Sequence, residues 1–144
     1  MKNFILLLTM LALTSSVFAG GNPDAILGVW ANGTNRGQIQ IFRQNGRYYG
    51  KIIWLAKPND QNGIAKVDKN NPDKKVRSKP LLGLIMMRDF KFEDDEWVDG
   101  KIYNPDDGKE YKAYMKLKDH QTLSVRGYIG FSWIGKTETF MRVR

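Results

Sequence analysis

Glu110-Tyr111-Lys112-Ala113-Tyr114-Met115-Lys116-Leu117-Lys118 sets Tyr111, Ala113, Met115 and Leu117 on one side of an extended chain and Glu110, Lys112, Lys116 and Lys118 on the other. Tyr114 is the exception on the polar side. A period of two residues marks a β-strand with one face buried. Outward from this stretch, short runs rich in Val, Ile, Tyr, Phe and Trp recur between clusters of Gly, Asn, Asp and Pro. They are Leu27 to Ala31, Gln38 to Arg43, Tyr48 to Leu55, Gly83 to Phe90, Trp97 to Tyr103, Thr122 to Ile129 and Lys136 to Val143, which makes eight strands with the central one. No segment after the first nineteen residues keeps a helical period for three turns. The fold class is all-β.

The connections are mostly of hairpin length. Asn45-Gly46 and Asn104-Pro105-Asp106-Asp107-Gly108 are turn sequences, and Phe92 to Trp97 reads as a charged hairpin tip. Sequential antiparallel strands joined this way fit an eight-stranded up-and-down barrel, which hides every strand edge. A two-sheet sandwich is the rival, but its crossovers need longer connections. One connection is long: Ala56 to Leu82 spans 27 residues with 7 basic and 3 acidic side chains, so a function or a lid is expected of it. Within it Asn71-Pro72-Asp73 can open a short helical turn with Asp73 as cap.

At the start, Lys2, the apolar Phe4 to Leu13 and the small-x-small Val17-Phe18-Ala19 form the pattern of a secretory signal peptide cut after Ala19. The apolar run is half the length of the ~20 residues a spanning helix needs. Cutting nineteen of 144 residues leaves 125, a single domain at residues 20–144, and the loss of Lys2 takes the net charge from +8 to +7. A periplasmic location is expected, with secretion as the alternative. From Gly20 to Leu81 there are 11 Lys/Arg against 4 Asp/Glu, and from Leu82 to Arg144 there are 11 against 11, so the whole excess lies in the first half. Outside the cytoplasm such a charge meets anionic envelope surfaces, and no nucleic-acid partner is expected.

The catalytic inventory is thin. One histidine and no cysteine exclude His-cluster and thiolate metal sites and cysteine nucleophiles. The carboxylates of Glu93-Asp94-Asp95-Glu96 and of Asp106, Asp107 and Glu110 sit in or beside hairpin tips. Wet tips lack the desolvation that splits carboxylate pKa values for acid–base work. Ser132 lacks a nucleophile elbow, and nothing is placed around His120 to make a triad. No enzyme, metal or cofactor is expected.

Gly28-Val29-Trp30 opening the first strand resembles the calycins, the superfamily of lipocalins, fatty-acid-binding proteins and avidins. A more specific series follows: Tyr49-Gly50-Lys51-Ile52, Asn71-Pro72-Asp73 with Arg77, Pro80-Leu81-Leu82-Gly83-Leu84, Trp97 through Lys109, Val125-Arg126-Gly127-Tyr128-Ile129-Gly130, and Thr139-Phe140-Met141-Arg142-Val143. In that order it resembles the bacterial exported family catalogued as domain of unknown function 2147. The resemblance covers essentially the whole mature chain and implies a lipocalin-like barrel without implying an activity. Phe140 stands where a tryptophan is usual, and Lys57 to Lys69 matches little.

The resemblance also implies that Trp30 plugs one end of the barrel beneath an arginine of the last strand, Arg142. Alternation opposes this: with Thr137, Thr139, Met141 and Val143 facing inward, Arg142 faces outward, and Arg144 becomes the fallback. Alternation further predicts an interior of Ile39, Ile41, Ile52, Trp54, Ile102, Tyr111, Ala113, Met115, Leu123, Val125, Thr137 and Thr139. An eight-stranded interior either is filled by side chains or holds one small ligand. The expected ligand is apolar or acyl-like, touching Trp54, Tyr111, Ala113, Met115, Thr137 and Thr139. Arg77 and Lys79 would clamp an anionic head, or Arg77 would pin the loop by pairing with Asp68 or Asp73. The alternative is a filled barrel acting through its basic surface as an envelope or interaction protein.

Overall fold

The computed structural model describes residues 21–132 and 134–144; the signal-peptide reading lies outside the described residues. A 3-10 turn (Pro23–Ile26) precedes β1 (Gly28–Asn32), β2 (Gly37–Gln44), β3 (Arg47–Leu55), β4 (Ile85–Glu93), β5 (Glu96–Asn104), β6 (Lys109–Asp119), β7 (Thr122–Tyr128) and β8 (Gly135–Arg142). Each strand pairs antiparallel with the next, and β8 closes on β1 through Trp30 opposite Arg142 and Asn32 opposite Phe140. The closed ladder excludes the sandwich and leaves no edge of the barrel unpaired. All eight expected strands are present, with ends shifted by at most three residues.

Two of the bulges that curve the wall have left-handed backbone. In β4 Asp89 (φ 63°) and in β5 Asp99 (φ 55°) take left-handed backbone, and the registers of β3–β4 and β5–β6 slip beside them. An aspartate tolerates this conformation better than a bulky or β-branched residue. The slip returns Phe90 to the interior after Met87, so both side chains project into the barrel from one strand and both are buried.

Register corrects the expected phase of β8. Leu123 and Val125 face inward from β7, and they lie opposite Phe140 and Glu138. Directly paired residues share a face. Phe140 is therefore buried and Arg142 turns in, while Met141 is 48% exposed. The apolar pattern misleads here because the outer phase of β8 carries Met141 and two threonines.

The up-and-down path gathers the connections into two groups. Asn45-Gly46, Asp94-Asp95 and His120-Gln121 turn at one end, where the 3-10 turn and the C-terminus also lie. Residues 33–36, 56–84, 105–108, 129–132 and 134 lie at the other. We call these the closed end and the mouth.

The closed end is stoppered. Ile26, Trp30 and Trp97 are almost wholly buried, and the indole N–H groups donate to the Ile26 carbonyl (2.9 Å) and the Pro23 carbonyl (3.1 Å). Arg142 lies 4.2 Å from the Trp30 ring centroid and donates to the carbonyls of His120, Ala25 and Leu27 at 2.6, 2.7 and 2.8 Å. One guanidinium thus holds a cation–π contact and ties three segments together. The Tyr48 hydroxyl donates to Asp24 at 2.7 Å, and burial with this bond pushes Tyr48 up to about 12.

Candidate functional site

The interior between the two ends is filled. Met87, Phe90, Ala113, Met115 and Leu123 are at most 1% exposed, and Ile39, Ile52 and Val125 at most 6%. Side chains lining a void wide enough for a water molecule would present surface to it, and these present almost none. Two of the glycines that leave room in the wall have that room taken by a large side chain of the neighbouring strand β4. A Cβ on Gly100 would stand 2.3 Å from the Phe90 ring, and one on Gly50 3.1 Å from Met87. A glycine opposite a large side chain brought in by a bulge is packing, and only knowledge of the bulges distinguishes it from a hollow.

The residues expected to hold a ligand therefore divide. Ala113 and Met115 are in the filled core. Tyr111 keeps the inward phase opposite Ile102, near the mouth, and its hydroxyl donates to Asp107 in the β5–β6 turn. That bond raises the tyrosine's pKa and lowers the carboxylate's. Trp54 is turned away from the interior: a bulge in the β2–β3 register sets it opposite Gln38, beside the inward Ile39, and leaves it 41% exposed. Thr137 and Thr139 are on the outer phase of β8, and Thr137 accepts from Arg126 at 2.8 Å.

The long connection is an ordered strap. Bridges at Asn59–Ala65 and Val67–Pro80 fold it on itself, and Asp73 caps a 3-10 turn at Lys74–Val76 by accepting from the Lys75 N–H. Its anchor is a residue that sequence reasoning weighed only as an ion-pair partner. Asp68 is 1% exposed and accepts from the Tyr103 hydroxyl (2.6 Å) and from Asn71 Nδ2 (2.7 Å). Burial and the bond to Asp68 push Tyr103 up to about 12. Asn70 Nδ2 donates to the carbonyls of Pro105 and Asp106, both at 3.0 Å. Arg77 donates to the Asn71 carbonyl at 2.6 Å, so it pins the strap through backbone and not through the expected carboxylates. Lys79 is exposed.

Two concavities lie outside the packed interior. One, about 420 Å³, is between the strap and β4–β6, lined by Pro72, Leu84, Ile85, Arg88, Tyr103 and Glu110 among others. Arg88 is held there by Glu110 at 2.5 Å and Asp89 at 3.3 Å, and the bond to Glu110 raises its pKa. The other, about 330 Å³, is at the closed end beside Asn22 and Trp97. The acidic clusters are in turns and the strand ends beside them, where Asp95 accepts from the Gly21 N–H and Asp107 from the Lys109 N–H. His120 and Ser132 meet arginines through their backbone carbonyls. Among the described residues no three His, Cys, Asp or Glu side chains converge on a metal position.

The mouth carries a different kind of surface. Among the described residues, the large apolar side chains left exposed are Trp54, Ile64, Leu82, Ile85, Ile129, Phe131 and Ile134 in its loops and strand ends, and Met141 and Val143 at the closed end.

A closed antiparallel meander of eight strands, stoppered by a tryptophan and an arginine, is a lipocalin-like barrel. The chain belongs to the family described as uncharacterized proteins conserved in bacteria (DUF2147), whose model matches residues 28–142. A solved structure described as protein HP1028 from the human pathogen Helicobacter pylori, belonging to the lipocalin family, is similar in fold, with a TM-score of 0.73, 24% identity and 82% of each chain covered. No curated protein matches the chain.

Proposed function

We propose that this is an exported, periplasmic, non-catalytic binding protein that works from the outside of a packed barrel, presenting its mouth and basic strap to a partner. The observation that carries this reading is the filled interior, with Phe90 over Gly100 and Met87 over Gly50. An eight-stranded barrel has room for side chains or for a small ligand, and here side chains take it. The second reading, a small apolar or acyl-type guest, is confined by the same packing to the mouth third, where Ile102, Tyr111 and Gly127 are only partly buried.

The test is native mass spectrometry of the mature protein taken gently from its host's exported fraction, with titration of a fluorescent acyl probe. A clean apo mass and no saturable probe uptake are expected. A stoichiometric apolar adduct, or probe uptake that Ala113→Trp abolishes while the fold persists, would overturn the reading. Recovery of the protein in the cytoplasmic fraction would remove its exported part.

A further inference from the structure

We propose that the described part of the β7–β8 hairpin tip, residues 129–132 and 134, is an interfacial anchor that seats the mouth of the barrel on an anionic phospholipid bilayer, with the basic strap held against the headgroups. The proposal rests on the outward-working reading above and names its partner.

The tip exposes Ile129, Phe131 and Ile134 by 61, 60 and 59%. A connection between strands is ordinarily polar, and three such side chains within six residues are unusual for water. Entry into a bilayer interface requires that backbone polar groups be satisfied internally. Here the Ile134 N–H donates to the Phe131 carbonyl at 2.9 Å, the Ile129 N–H to the Ile134 carbonyl at 3.4 Å, and Arg126 Nε to the Ser132 carbonyl at 2.7 Å. These bonds satisfy part of the tip's backbone, while Ile129 and Ile134 keep their side chains exposed.

Charge selects the kind of partner. From Gln121 to Thr137 the only ionisable side chains that carry charge at neutral pH are Arg126 and Lys136, at the base of the hairpin, and no acidic residue occurs. Long cationic side chains flanking an apolar tip reach headgroups while their stems lie along it. The strap turns at the same end and adds Lys66, Lys69, Lys74, Lys75 and Lys79. Trp54, at the mouth end of β3, is 41% exposed, and its ring suits the headgroup boundary. A second copy of this basic face would be repelled, whereas an anionic leaflet is attractive to both its apolar and its cationic parts.

The experiment is co-sedimentation of the mature protein with vesicles of phosphatidylglycerol and phosphatidylethanolamine, and with phosphatidylcholine vesicles as reference. Binding to the anionic vesicles is expected, falling about tenfold or more as NaCl rises from roughly 50 to 500 mM. Ile129→Asp with Ile134→Asp should lower it at least tenfold at fixed salt, with circular dichroism and melting unchanged because both residues are exposed. Equal binding to both vesicle types, no binding at low salt, or full binding by the double variant would overturn the proposal. A concentration-dependent dimer abolished by the same variants, seen by analytical ultracentrifugation, would also overturn it and give the face to a second copy. Acyl-probe uptake, measured without vesicles, separates failure of the anchor from failure of the packed-barrel reading.

Discussion

The closed end and the mouth of this barrel spend apolar side chains in opposite ways. At the closed end Trp30, Ile26 and Trp97 vanish into the core and their polar atoms find backbone partners. At the mouth Ile129, Phe131 and Ile134 stand in solvent above a wall that is already full. Both ends use a tyrosine hydroxyl on an aspartate as a fastener, Tyr48 on Asp24 below and Tyr103 on Asp68 above. The lower one seals the barrel itself, and the upper one fastens only the strap. One end therefore carries stability, and the other is free to carry function.

The sharpest way to break this contrast is truncation at each end. Trp30→Ala should cost about 3–5 kcal/mol in a denaturant titration, from lost burial and the cavity left beneath Arg142. Ile134→Ala, equally apolar but exposed, should change stability by less than about 0.5 kcal/mol. Comparable losses would erase the distinction.

A smaller effect tests whether the middle is full. Gly100→Ala places a methyl against the Phe90 ring and should destabilise by about 1–3 kcal/mol, with Phe90→Leu in the same chain recovering part of it. A neutral Gly100→Ala would mean the interior has slack, and the guest reading would gain.

The smallest effect separates the two fasteners at high pH. Tyr48 and Tyr103 are both raised to about 12 from an ordinary 10, so both hydroxyls stay protonated in the fold where the unfolded chain has lost the proton. The stability they add is fully present below pH 10 and is lost as pH rises through 12. Absorbance titration of tyrosinate should show a late step that shrinks in Tyr48→Phe and in Tyr103→Phe. Only the Tyr103 variant should speed tryptic cleavage between Lys66 and Lys79 without moving the global melt.

Architecture was largely readable because hairpin turns and period-two runs are local signals. The eight runs and the connections at Asn45-Gly46 and Asn104 to Gly108 need no knowledge of distant contacts. The candidate site was much less readable. The left-handed Asp89 and Asp99 look like ordinary charged positions in a strand, yet they decide that Phe90 fills the space beside Gly100. The β2–β3 bulge moves Trp54 out of the interior, and register with β7 reverses the phase of β8. Trp30 and Arg142 were paired by family resemblance, against the alternation of β8. Asp68 gave no sign of being the buried anchor of the strap, because burial of one carboxylate depends on a hydroxyl 35 residues away.

The return of β8 to β1 has a temporal consequence. Arg142 meets the Leu27 carbonyl across a sequence separation of 115 residues, and the ladder that hides both edges needs the last strand to be available. A chain delivered from its N-terminus must carry β1 as an open edge until β8 arrives, and contacts this distant in sequence are the slow ones. On the exported reading proposed above, late closure keeps the chain open during its passage. The guanidinium that finishes the stopper belongs to β8, so the barrel locks only once that strand is in place.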